Sequence, residues 1–206
     1  MSSGPLAKTL KDFQQIIQKP ETKAILSFES RDPSVPLPGI ENHPLSPELI
    51  YLYTNYETGI IMSPDIHIKW HRELFPMDYS IDKGKTFHHY TPWKKSRVII
   101  ATMGESKKFL ADTAQDGTPV YVTISQKDEA DEIQEQISPD LETFFRLLIE
   151  LSKAFTANSD QSPISGADFS LWRKYAQDVV YPDFTGRIKG MIGIDETDAI
   201  IRFLKA

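Results

Sequence analysis

Two histidines four residues apart, in His67-Ile-Lys-Trp-His71, are the first side chains of this chain whose type and spacing suit chemistry. On a helix they would share a face and could hold a metal ion. The metallopeptidase arrangement, however, needs a glutamate directly after the first histidine, and Ile68 stands there. Ile66, Ile68 and Trp70 alternate with His67 and Lys69, which predicts a strand. A strand keeps both imidazoles on one face but about 13 Å apart, too far to share an ion. His88 and His89 are adjacent, so their rings diverge, and Phe87, Tyr90 and Trp93 around them read as a packed aromatic loop. No metal site and no cofactor is expected.

Other catalytic patterns are also missing. Met103-Gly-Glu-Ser-Lys107 has one glycine and lacks the flanking pattern of a nucleophile elbow. No phosphate-cradling Gly-x-x-x-x-Gly-Lys-Ser/Thr or Gly-x-Gly-x-x-Gly occurs. Phe184-Thr-Gly-Arg-Ile-Lys-Gly190 carries two glycines and two cations but follows no hydrophobic strand, so a phosphate loop is not expected there. Asp112 fits the end of a strand and Asp116 an Asp-Gly turn, which accounts for both without catalysis. The chain is expected not to be an enzyme.

One charged feature is left over. Asp128, Glu129, Asp131, Glu132 and Glu135 crowd into a short stretch opposed only by Lys127, and are expected in a loop. Such a run is either a solvated surface or a docking patch that steers a basic partner. Trp93, Tyr90 and Phe87 are candidate aromatic anchors if exposed, Trp93 first among them, since interface hot spots favour such residues.

The elements that must position these residues follow from periodicity. Leu6, Leu10, Phe13, Ile16 and Ile17 predict an amphipathic helix closed by Pro20. Ala24 to Phe28 reads as a short strand or buried turn, and the proline-rich Asp32–Gly39 as extended chain. Ser46 and Pro47 suit the N-cap and first position of a second helix, with Leu49, Leu52 and Tyr53 inward and Gly59 as a left-handed stop. Strands are expected at 60–62, 66–70, 97–101, 108–112 and 119–124, the last two joined through Asp116-Gly117. Phe75 to Trp93 reads as irregular. A capped helix follows Ser138-Pro139-Asp140, with Leu141, Phe144, Phe145, Leu148 and Leu151 as its apolar stripe. Beyond a polar linker at 156–166, helices are expected from Phe169 to Val180 and from Asp198 to Leu204. This order predicts an α+β fold with a central mixed or antiparallel sheet flanked by helices.

Composition bounds the rest. The 206 residues include 23 basic and 29 acidic side chains, for a net charge of −6. At 40% hydrophobic and 25% charged the chain is of ordinary globular composition. The absence of cysteine excludes disulfides, thiolate metal sites and cysteine nucleophiles. An acidic pI near 5.4 argues against nucleic acid as the main partner. No stretch is apolar enough to span a membrane, and no leader or lipidation signal is read, so a cytoplasmic location is expected.

Taken in order, these stretches resemble the SUKH superfamily over roughly residues 5–155. The amphipathic first helix and Leu45-Ser-Pro-Glu-Leu49, leading to Tyr53-Thr-Asn-Tyr-Glu-Thr-Gly59, are similar to that family's opening helices. Val98-Ile-Ile-Ala101, Phe109-Leu-Ala-Asp112, Gly117 and Val120-Tyr121 resemble its central strands. Ile137-Ser-Pro-Asp-Leu-Glu-Thr-Phe-Phe145 resembles its closing helix, with Leu141 where the family has phenylalanine. The stretch from Leu74 to Trp93 and the region after Thr156 depart from the pattern.

The resemblance implies one SUKH-like domain at 1–155, with 156–206 a helical extension packed on it. It also implies an immunity protein that neutralises a toxin domain, often a basic nuclease, by binding it. Asp128, Glu129, Asp131, Glu132, Glu135 and Trp93 are then the candidate contact residues. The alternative in the same family is an intracellular scaffold with several partners, as its eukaryotic cell-wall regulators are. An enzyme centred on the histidines ranks third.

Overall fold

The computed structural model describes residues 4–18, 28–34, 45–58, 60–63, 66–76, 96–103, 107–124, 133–163 and 169–205. The first helix, α1 (Gly4–Ile17), turns Leu6, Leu10, Phe13 and Ile17 inward at the spacing its sequence predicts. A two-stranded ribbon pairs β1 (Phe28–Ser30) with β2 (Tyr56–Thr58), antiparallel. Between them lies α2 (Pro47–Asn55), whose N-cap Ser46 accepts the Leu49 N–H at 3.3 Å. Its apolar side, Leu49, Leu52 and Tyr53, is buried as expected. The helix stops earlier than expected. Tyr56 is already extended at the C-cap because its backbone joins β2, so Gly59 is not the stop signal.

Six strands follow in chain order as an antiparallel meander: β3 (Ile60–Ser63), β4 (Ile66–Pro76), β5 (Arg97–Met103), β6 (Lys107–Asp112), β7 (Val120–Ile124) and β8 (Ile133–Ser138). The fold is α+β, and every pairing in the sheet is antiparallel. β4 runs on to Pro76, past the expected start of irregular chain, though its register against β5 slips between Trp70 and Phe75. The expected extended stretch after Asp32 begins instead with a turn, in which Asp32 Oδ1 accepts the Ser34 N–H at 2.9 Å. The rest of that stretch lies outside the described residues.

β8 corrects the expectation of a loop through Gln136. Ile133 to Gln136 pair with Ile124 to Tyr121, and only the earlier part of the acidic run remains outside the described residues. The hairpin between β6 and β7 forms where Asp116-Gly117 predicts it. Gly117 takes φ +77°, a conformation glycine adopts without the Cβ penalty.

α3 (Leu141–Ala157) starts at Asp140, whose carboxylate accepts the Thr143 N–H at 2.6 Å. It runs two residues into the expected linker, within which a short 3₁₀ turn follows at Ser159–Gln161. Then α4 (Phe169–Tyr175) runs through a π-helical turn, Ala176–Val180, into α5 (Tyr181–Ile188). The widened turn sits just before Pro182, which has no N–H to give to an α-helical bond. α6 (Ile194–Lys205) closes the described chain, longer than expected.

The helices and one sheet face share a continuous apolar core, from Leu6 of α1 to Phe203 of α6. Phe109 of β6 holds it together. Its ring lies 5.4 Å from that of Phe144 in α3 and 4.8 Å from that of Phe203 in α6. A second aromatic group joins Phe13, Phe28, Tyr56 and Phe145, with centroids 4.8–5.9 Å apart along its contacts. Edge contacts of this kind add about 0.5–1.5 kcal/mol each beyond burial. Phe144 and Phe145, adjacent in α3, splay to join both groups at 5.6 Å. The opposite sheet face is buried as well: Lys108, Leu110, Asp112, Tyr121 and Thr123 alternate with the core residues of β6 and β7.

Candidate functional site

Of the residues expected to contact a partner, Asp128, Glu129, Asp131, Glu132 and Trp93 lie outside the described residues, as do His88 and His89. By sequence the four acids fall in the connection from β7 to β8. Glu135 is the exception. It lies in β8 opposite Val122, a core-face residue, and so turns toward the helices. There its Oε1 accepts from Arg202 Nη2 of α6 at 2.8 Å. Both side chains are partly exposed, so the pair contributes at most about 1 kcal/mol. Glu135 is thereby set apart from the rest of the acidic run, its charge already matched within the fold.

His67 pairs with Met62 across β3 and β4, while His71 falls in the register slip of β4. Among the described residues no group of histidines and carboxylates is placed to hold a metal ion. Asp116 is exposed in the hairpin turn. The two cations of the phosphate-like segment separate: Arg187 is held by Asp183 at 3.0 Å and by Glu150 at 3.9 Å, while Lys189 is exposed.

Polar chemistry is gathered instead on the second face of the sheet. Register places Arg97 of β5 directly opposite Asp112 of β6, and Arg97 Nε donates to Asp112 Oδ2 at 3.4 Å. The guanidinium lies 3.6 Å from the centre of the Tyr121 ring on β7, and Arg97 Nη1 donates to Gln134 Oε1 on β8. Gln115 Nε2 donates to Asp112 Oδ2 at 2.8 Å and lies 3.3 Å from Tyr121 Oη. The Ala114 N–H reaches Asp112 Oδ1 at 3.2 Å.

Four strands and one hairpin turn are thus tied through a single buried ion pair. Burial raises the Asp112 pKa, but hydrogen bonds from Ser96, Gln115, the Ala114 N–H and Arg97 outweigh it and hold the group below 3.8. Both carboxylate oxygens are occupied, so Asp112 is neither a free nucleophile nor a proton donor near neutral pH. The sequence marks Asp112 as a strand end but does not reveal its partner. An arginine opening the apolar run Val98 to Ala101 was the available signal, once the hairpin fixes the register.

A second cation is held at the far end of β6. Lys107 Nζ donates to the Leu204 carbonyl at the end of α6 at 3.5 Å and lies 5.5 Å from the Phe203 ring centre. Partial burial lowers its pKa, and Arg173 nearby adds to the shift.

No family model, curated protein or solved structure matches the chain. Among the described residues no helix is long and apolar enough to cross a membrane.

Proposed function

We propose that the chain is a protein-binding inhibitor of the immunity type, acting in the cytoplasm on a basic toxin domain by covering its active site or substrate path. The observation that carries this reading is the order of elements around the acidic run. A Ser-Pro capped helix, an antiparallel meander and a Ser-Pro-Asp capped helix follow one another as in the SUKH pattern that the sequence resembles. Asp128, Glu129, Asp131 and Glu132 stand in the connection between the two strands that end the meander. Clustered carboxylates raise the association rate of a basic partner by steering it, and leave the final affinity to apolar contacts.

The test is affinity purification of the tagged chain from its native host. One stoichiometric basic protein is expected, toxic when expressed alone and neutralised by this chain. A spread of sub-stoichiometric partners with no toxic member overturns the reading in favour of a scaffold.

A further inference from the structure

We propose that the groove between the N-terminal ends of α1, α2 and α3 docks a partner segment carrying an arginine or lysine beside an apolar side chain. The groove encloses about 530 Å³, within the usual range for a ligand-binding cleft. Leu6, Ile50 and Tyr51 line it with apolar surface, and Glu48, Asp140 and Glu142 supply three carboxylates; among the described residues no lysine or arginine lines it.

Acids in the first turn of a helix or at its N-cap are favoured by the helix dipole, which explains why these residues stand there. The three helix ends offset only part of their charge, roughly half a positive charge each, so the groove stays negative. Two of the carboxylates are hydrogen-bonded but not neutralised. Asp140 accepts from the Thr143 N–H at 2.6 Å, and Glu48 from the Thr118 hydroxyl at 3.1 Å. Glu142 has no ion-pair partner among the described residues.

The chemistry of the occupant follows from three features. A phosphate or carboxylate is repelled. A bare metal ion is not accommodated, since no three acids among the described residues converge to hold one. Ile50, 45% exposed within the groove, needs apolar cover, and a long cationic side chain with an apolar neighbour satisfies both demands at once. The groove's taste for a cation stands on its own; only the identity of the partner rests on the proposed function.

The experiment is an amide NMR titration of the full chain with acetyl-Leu-Arg-Leu-amide and, separately, acetyl-Leu-Glu-Leu-amide. The arginine peptide is expected to shift the amides of Glu48 to Tyr51 and of Glu142, and to bind roughly tenfold tighter than the glutamate peptide. Glu48→Gln with Glu142→Gln, which keeps shape and hydrogen-bond acceptors, is expected to weaken it about fivefold. Ile50→Ser, at an exposed position, weakens it too.

No shift at these amides up to about 10 mM peptide, or equal binding of both peptides, overturns the proposal. Peptide binding by a chain that captures no basic toxin keeps the groove and removes the inhibitor reading. A toxin captured by a chain whose groove is silent does the reverse.

Discussion

The guanidinium of Arg97 lies 3.6 Å from the centre of the Tyr121 ring, two strands away, while its Nε is bonded to Asp112 on the strand between them. Both charged groups are almost fully removed from water, Arg97 at 7% and Asp112 at 1% exposure. The pair therefore ties the sheet together on the side away from the helices. It is costly to break and inexpensive to replace as a unit, because a lone buried charge loses its compensation.

Asp112→Asn is accordingly expected to lower stability by about 3 kcal/mol, read from the urea midpoint at neutral pH. Arg97→Met combined with Asp112→Leu should cost less than either single change. The pH dependence has a definite sign. The folded pKa of Asp112 lies below its unfolded value, so its contribution is complete above about pH 5 and is lost as pH falls through the folded value, below 3.8. The gap between wild type and Asp112→Asn must therefore narrow below about pH 4. A gap constant down to pH 2 would remove Asp112 from the acid limb.

Thr118 is the one non-glycine residue with positive φ, +59°, among the described residues, and it is β-branched, so its backbone is strained. Side-chain bonds hold it there: its Oγ1 lies 2.6 Å from Ser46 Oγ and 3.1 Å from Glu48 Oε2. The hairpin turn is thus fastened to the start of α2. Thr118→Val keeps the branch and removes the bonds; a loss of about 1–3 kcal/mol is expected in chemical unfolding. Gly117→Ala should cost at least as much as Gly190→Ala. Both positions have positive φ, but only at 117 would a new Cβ meet a neighbour, Asp140 Cβ at 3.0 Å.

Tyr53 presents the opposite case. Its ring belongs to the core, yet its hydroxyl is buried with no hydrogen-bond partner among the described residues, and burial pushes its pKa well above 10. Tyr53→Phe removes the unsatisfied group and keeps the ring. Stability should be unchanged or higher by about 1 kcal/mol. A clear loss of stability in calorimetry would mean that the hydroxyl has a partner after all.

Much of the fold was legible because apolar residues repeat at the period of the element they form. Leu6, Leu10, Phe13 and Ile17 announce α1, and Leu141, Phe144, Phe145 and Leu148 announce α3. β8 was not legible. Gln134, Glu135 and Gln136 look like the tail of a charged loop, and only the pairing with β7 shows why they are polar. Gln134 meets Arg97 on one face, and Glu135 meets Arg202 at the rim of the other. Local pattern reports burial against an apolar core; it does not report a polar partner three strands away or on the last described helix. The candidate site suffers from the same limit, since charge density marks the acidic run without marking what it faces. The pairing of Glu135 with Arg202 shows that one member of the run already has an internal partner.

The C-terminal helices belong to the main core by contact, since Phe203 packs on Phe109 beside Phe144. Phe203→Ala should cost about 3–5 kcal/mol, as for a fully buried aromatic side chain in a single core. A chain cut after Ala157 should expose Phe109 and bind a hydrophobic dye without a cooperative melt. A cooperative melt at the full-length temperature would show instead that residues 158–206 are a separable addition.

The acidic run makes the last prediction, and Glu135 sharpens it. Reversing Asp128, Glu129, Asp131 and Glu132 to lysine changes the charge of this segment by eight units without touching a described contact. Against a basic toxin domain, stopped-flow association should slow by about tenfold or more at low salt, and the rate should lose most of its ionic-strength dependence. Dissociation should change less, because long-range charge acts mainly on encounter. Glu135→Gln serves as the internal comparison. Its charge is already opposed by Arg202 at 2.8 Å, so the same measurement should move by less than about twofold. Equal effects from Glu135→Gln and from the fourfold reversal would place the steering charge elsewhere, and unchanged kinetics in both would remove the segment from the interface.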